Sequence, residues 1–183
     1  MNRNELKAKY GKKRIPGEWR QTGFLTQMVC TFFGAGTLPK MPGTFGSLAA
    51  TLVAYPMIIC NHLVFHIPVF FGIAALAVFF FSIPFVNKAM RDSKTEDPGW
   101  IVIDEVCGIW AALAFVPTEV LFRHPWLLLI AFALFRFFDI LKPLGIHKAE
   151  KMPGAAGVMA DDLLGGIYAG LLLFAAVKIF NLQ

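Results

Sequence analysis

Five carboxylates stand inside stretches that are otherwise apolar: Asp104 and Glu105 in IVIDEVCGIW, Asp139 in FRFFDILKP, and Asp161 with Asp162 in GVMADDLLGG. Even on a lenient insertion scale one acid at the centre of a membrane helix costs about 2.5–3.5 kcal/mol, so all five oppose insertion by roughly 12–17 kcal/mol unless something compensates. Carboxylates drawn together repel one another until a cation or shared protons intervene. An oxygen-only set with no neighbouring His or Cys suits a hard ion such as Mg²⁺, which keeps waters and accepts phosphate oxygens. Arg136, Asp139 and Lys142 recur at i, i+3 and i+6. That spacing places them along one helical stripe, able to pair locally and to hold a phosphate.

Two glycine strings accompany the acids. Pro42-Gly43-Thr44-Phe45-Gly46-Ser47 precedes a long apolar run, and Gly154-Ala155-Ala156-Gly157 precedes Asp161 and Asp162. With Ser47 or Thr44 as N-cap, the first string would open a helix whose unpaired N–H groups and positive dipole end attract an anion, while glycine lets backbone approach a phosphate. A plain helix-entry turn is the competing reading. Gly108, Gly165, Gly166 and Gly170 read as small-residue contacts between helices.

The elements that must carry these residues follow from composition. The chain has 183 residues, 57% hydrophobic and only 16% charged, with a mean hydropathy of +0.62. That leaves too few polar residues to coat a soluble fold, and it excludes disorder as well. No charged residue occurs between Lys40 and Lys88, which is more than twice what one crossing needs, roughly 20 residues. Asn61, His62, His66 and Pro68 divide this run into spans expected at 43–61 and 67–87. A third is expected from Trp100 to the prolines at 117 and 125, a fourth over 126–144, and a fifth over 158–180. Continuous apolarity contradicts the alternation of a barrel, so the fold class is all-α, a polytopic membrane helical bundle with about five membrane-embedded helices. Residues 24–34 are too short to span and are expected to form an interfacial or re-entrant helix. Cys30, Cys60 and Cys107 lack paired spacing and read as packing residues.

Residues 1–22 are expected to form a basic cytoplasmic tail without a cleavable signal, followed by a single membrane-embedded domain over 23–183. With five spans starting inside, fourteen of the seventeen basic residues fall on one face, which the positive-inside rule assigns to the cytoplasm. All five acids then lie at similar depth beside that face, although the basic-residue count does not require it. The net charge of +5 is set largely by the tail, so it points to anionic membrane lipids and not to nucleic acid. His62 and His66 fall on the opposite face, His147 is a minor candidate on the active one, and Asp92, Glu96 and Asp97 read as solvated loop charges. No oligomeric state is specified.

PGTFGSLAA at 42–50, IDEVCGIW at 103–110, FRFFDILKPLGI at 135–146 and GAAGVMADDLLGG at 154–166 resemble, in order and spacing, the four signature blocks of bacterial phosphatidylglycerophosphatase A. The resemblance covers about residues 22–180. Ile103 stands where that pattern often has an aromatic residue, and Gly154-Ala155-Ala156-Gly157 is less glycine-rich than usual. The resemblance implies an all-helical, Mg²⁺-dependent enzyme of the bacterial inner membrane, its N-terminus and active site cytoplasmic, that converts phosphatidylglycerophosphate to phosphatidylglycerol and phosphate in phospholipid biosynthesis. It also implies that Asp104, Glu105, Asp139, Asp161 and Asp162 are the metal and catalytic carboxylates, with Thr44, Ser47, Arg136 and Lys142 as phosphate contacts. Direct attack by water is favoured over an aspartyl-phosphate intermediate.

Two rival readings predict features that the chain lacks. An ion-coupled transporter would place acids near the midplane between repeated halves. A CDP-alcohol headgroup transferase would carry several Asp residues in one spaced motif with Asp-Gly and Ala-Arg. The Lys, Arg and His motifs of lipid phosphatases with a histidine nucleophile are also missing.

Overall fold

The structure, a computed structural model, describes residues 18–95, 98–143, 145–146, 152 and 154–182. Residues 1–17 of the tail expected over 1–22, and Glu96, Asp97, His147, Lys148 and Lys151, lie outside the described residues. The described elements are helices: α1 (Phe24–Cys30), α2 (Pro42–Cys60), α3 (Phe70–Ser93), α4 (Ile103–Leu113), α5 (Thr118–Arg123), α6 (Leu127–Leu141) and α7 (Ala155–Ile179). No strand occurs among the described residues.

Among the described residues three helices are long and apolar enough to cross a membrane: α2 with its continuation to Phe65, α3, and α7. The expected third span is different in kind. Helix α4 has 11 residues, every one buried, and at 1.5 Å per residue it reaches only about 17 Å, roughly half the hydrocarbon thickness. Its apolar side chains face α2, α3, α6 and α7, not lipid. Helix α6, with 15 residues, is also shorter than the span expected there. The second expected span, by contrast, continues beyond residue 87 to Ser93. Lys88 and Asp92 pair at 2.6 Å across one turn of that extension, and such a pair supports a helix in polar sequence.

Glycines let α4 lie at the centre. A Cβ on Gly166 of α7 would sit 2.2 Å from the carbonyl oxygen of Gly108, and one on Gly170 would sit 2.9 Å from that of Ala112. The two backbones therefore touch, as small-residue pairs in membranes allow. Phe135 of α6 fills the notch at Gly108. Trp110 Nε1 donates to Ala50 O at 3.2 Å, fastening α4 to α2. Cys30 and Cys107 are buried and Cys60 is exposed, all as free thiols.

Residues 24–34 form the short helix α1 and a tight reversal with positive φ at Phe32, Phe33 and Gly34. Phe24, Leu25 and Phe33 are exposed, while the carbonyl of Cys30 accepts from Val102 N at 2.8 Å. The segment is thus apolar outward and bonded inward.

At the other end of the bundle, α2 runs into one π turn, Asn61–Phe65. Asn61 Nδ2 donates to Ile67 O and to Thr118 Oγ1, both at 3.1 Å. His62 stacks on Phe122 and lies 2.7 Å from Glu119, whose other oxygen accepts from Arg123 Nε at 2.7 Å. The Arg123 hydrogen bond, followed by the His62 and Arg123 charges, holds the Glu119 carboxyl below the usual carboxylate range. His62 therefore does more than divide two spans, because it joins the π turn that continues α2 to α5.

Because the α4–α7 contact has no room for a side chain, Gly166→Ala is expected to destabilise the protein by about 1–3 kcal/mol, read as a lower thermal midpoint in detergent. Gly23→Ala is expected to leave the midpoint unchanged, since nothing lies within 4 Å of its Cβ position.

Candidate active site

The five acids arrive from three helices. Asp104 and Glu105 occupy the first turn of α4, where the dipole favours negative charge. Asp161 and Asp162 lie in the second turn of α7. Asp139 sits in the last turn of α6, followed by Lys142 as its C-cap in the left-handed conformation. Starts of α4 and α7 thus meet the end of α6.

Asp104, Glu105 and Asp162 form one compact group. All three are buried, and one carboxylate oxygen from each lies within 4.8 Å of the others. Asp139 and Asp161 stand beside this triad, each with a cation. Arg136 Nη1 donates to Asp139 Oδ2 at 2.5 Å, and Lys142 Nζ to Asp161 Oδ2 at 2.6 Å. Asp161 Oδ1 also accepts from the Asp162 amide at 3.0 Å. Asp162 lies within electrostatic reach of the four other acids.

Asp162 Oδ2 is buried with no hydrogen-bond partner among the described residues, and leaving such an oxygen unsatisfied is costly. Three oxygen donors at this spacing could close around one hard divalent cation, whose ligands stand about 2.0–2.1 Å away for Mg²⁺. Arg136 and Lys142 flank the triad and could neutralise an anion brought to it.

The glycine strings serve the site differently from expectation. Helix α2 starts at Pro42, with Met41 (φ 54°) as N-cap and no side-chain cap. Thr44 and Ser47 are therefore not caps but members of the helix. Ser47 is fully buried and donates to Gly43 O at 2.8 Å, so its hydroxyl is committed to the helix backbone, whereas Thr44 is half-buried on the first turn. Gly43 itself lies against the acids: a Cβ there would be 2.3 Å from Glu105 Oε1 and 3.4 Å from Arg136 Nη1. The missing side chain lets the Glu105 carboxylate lie against the first turn of α2.

At the second string, Asn87 of α3 caps α7, its Oδ1 accepting from Ala155 N at 3.1 Å. Sequence reasoning missed Asn87. The available signal was one amide at the end of an apolar run.

The profile of the phosphatidylglycerophosphatase A family matches residues 28–177. A protein of Haemophilus influenzae named phosphatidylglycerophosphatase A is 40% identical over 144 residues, 78% of this chain and 83% of that one. The Escherichia coli protein of the same name is 33% identical over 145 residues, 78% of each chain. A Bacteroides thetaiotaomicron protein, named a candidate phosphatidylinositol-3-phosphatase, is 38% identical over 158 residues, 86% of this chain and 96% of its own. No solved structure matches the chain.

A methyl group at position 43 would push on the Glu105 carboxylate. Gly43→Ala is expected to lower turnover about tenfold or more, at least ~1.4 kcal/mol of transition-state stabilisation, with folded protein still recovered in detergent. Unchanged turnover would show that the position of Glu105 does not matter.

Proposed function

The chain belongs to the phosphatidylglycerophosphatase A family and is a phosphatase, and from that premise we propose that it hydrolyses the terminal phosphate of phosphatidylglycerophosphate. The products are phosphatidylglycerol, for phospholipid biosynthesis, and inorganic phosphate. The observation that carries this reading is the meeting of Asp104, Glu105 and Asp162 within 4.8 Å, with Arg136 and Lys142 beside them. In this reading the enzyme works in the bacterial inner membrane with its site on the cytoplasmic side.

Asp104, Glu105 and Asp162 are the proposed holders of Mg²⁺, with Asp139 and Asp161 completing the acidic wall. When bound, the ion supplies Lewis-acid neutralisation of phosphoryl oxygens. The chain's own residues do the rest. Arg136 and Lys142 turn from Asp139 and Asp161 toward the phosphate, countering the charge that spreads over its oxygens. Thr44, on the first turn of α2, is a further proposed phosphate contact. A carboxylate of the set orients a water in line with the scissile P–O bond and accepts its proton; as the P–O bond breaks, that proton passes on to the leaving glycerol oxygen, so the alcohol departs neutral. Burial of the triad inside the helix ends keeps bulk water away. A lipid can present its headgroup there while its chains stay between the helices and the bilayer.

The Bacteroides relative favours a second reading, in which the scissile phosphate is on the inositol ring of a phosphoinositide. Both substrates are lipid phosphomonoesters, so purified enzyme should be assayed for phosphate release on each, and on a soluble phosphomonoester, with Mg²⁺ and with excess chelator. Preference for phosphatidylglycerophosphate that is lost on chelation is expected. Preference for the inositol lipid would select the second reading, and release indifferent to chelator would reject the metal role. Asp104→Asn and Asp162→Asn, at normal expression, are each expected to lower turnover on the order of a hundredfold or more. Wild-type rates in both would end the site assignment.

A further inference from the structure

A second site lies at the same end of the bundle, apart from the acids. Helices α3 and α7 run antiparallel: Ser82 meets Met159 at 3.5 Å, and Asn87 caps Ala155. Beyond that cap, Asn87, Met90, Arg91, Lys94, Thr95 and Gly154 line a groove of about 310 Å³. Asp161 and Asp162 lie six and seven residues further along α7, a rise of about 9–10 Å, so the groove and the carboxylate triad are separate places.

Among the described residues the charge of the groove is one-sided. Asp92, the nearest described acid on α3, pairs with Lys88, and no described carboxylate is within ion-pair distance of Arg91 or Lys94. Two cations therefore face a cavity that also offers the Asn87 amide and, at Met90, an apolar wall. The approach to it is apolar too. Leu76, Phe80 and Pro84 are exposed at a four-residue spacing, and the same face continues through Lys88 to Arg91. Four-residue spacing keeps side chains on one side of a helix, so an oily stripe along α3 ends in a basic pocket. Acyl chains fit the first part and a phosphate the second.

We propose that this groove binds the phosphodiester of an anionic phospholipid whose chains lie along the exposed face of α3. Arg91 and Lys94 hold the phosphate, Asn87 adds its amide, and the bound lipid bridges the start of α7 to the end of α3. The site does not depend on which phosphomonoester the enzyme hydrolyses.

Native mass spectrometry of the full chain, titrated with phosphatidylserine and with phosphatidylcholine as separate probes, tests this directly. One phosphatidylserine is expected to be retained in preference to phosphatidylcholine. Arg91→Ala combined with Lys94→Ala is expected to weaken it about tenfold or more. Lys178→Ala, which removes a charge from the far end of α7, should not. Arg91→Lys combined with Lys94→Arg keeps both charges and should keep the lipid, so that loss of charge is distinguished from loss of fold. Equal retention of both lipids, or undiminished phosphatidylserine binding in the double alanine variant, would overturn the proposal. Displacement of the lipid by inorganic phosphate would instead make the groove a site for free anion and equally overturn it.

Discussion

Like charges crowded at the end of an apolar bundle are the constraint on which the rest of this structure depends. At an effective dielectric of about 20, two unit negative charges at the 4.8 Å limit of the triad repel by roughly 3.5 kcal/mol, and Asp104, Glu105 and Asp162 form three such pairs. Arg136 and Lys142 answer part of that charge through Asp139 and Asp161. Within the triad the repulsion stands unless a cation or shared protons intervene, and the elements around it accommodate the acids. The starts of α4 and α7 bring positive dipole ends, Gly43 leaves room beside Glu105, and the glycine contact between α4 and α7 brings Asp104 and Asp162 to the same level.

The central placement of α4 makes this possible. A helix exposed to lipid could not keep two adjacent acids away from hydrocarbon on every side, whereas α4 has all 11 residues covered by protein. The same burial fixes its side chains, so the carboxylates stand where packing puts them. Function and assembly are coupled through one short helix: Gly108 receives Phe135, lies against the α7 backbone at Gly166 and Asp162, and sits four residues from Asp104. In the proposed reaction the packed carboxylates of α4 need no rearrangement when the transition state forms, while Arg136 and Lys142 turn to meet the phosphate.

Much of this was legible in the sequence because a charge in an apolar run is conspicuous. Asp104, Glu105, Asp139, Asp161 and Asp162 could be picked out and assigned to one end by the distribution of lysine and arginine. The glycines at 108, 166 and 170 were legible as helix contacts for the same reason that membranes favour them. The length of α4 was not, since an apolar residue facing protein reads the same as one facing lipid. Nor was the start of α2: Thr44 and Ser47 have the chemistry of caps, but Pro42 is suited to the first helical position, and the helix begins there. Gly43 and Asn87 act on residues distant in the chain, Glu105 and Ala155, and nothing local marks such partners.

The most direct test of the central claim is binding of Mn²⁺, a paramagnetic substitute for Mg²⁺, to the purified full chain, followed by electron paramagnetic resonance as free ion disappears. Saturable binding that Mg²⁺ displaces, and that Asp162→Asn removes while the protein stays folded, is the predicted result. A wild-type chain that takes up no ion, or an Asp162→Asn chain that takes it up as tightly, would contradict it.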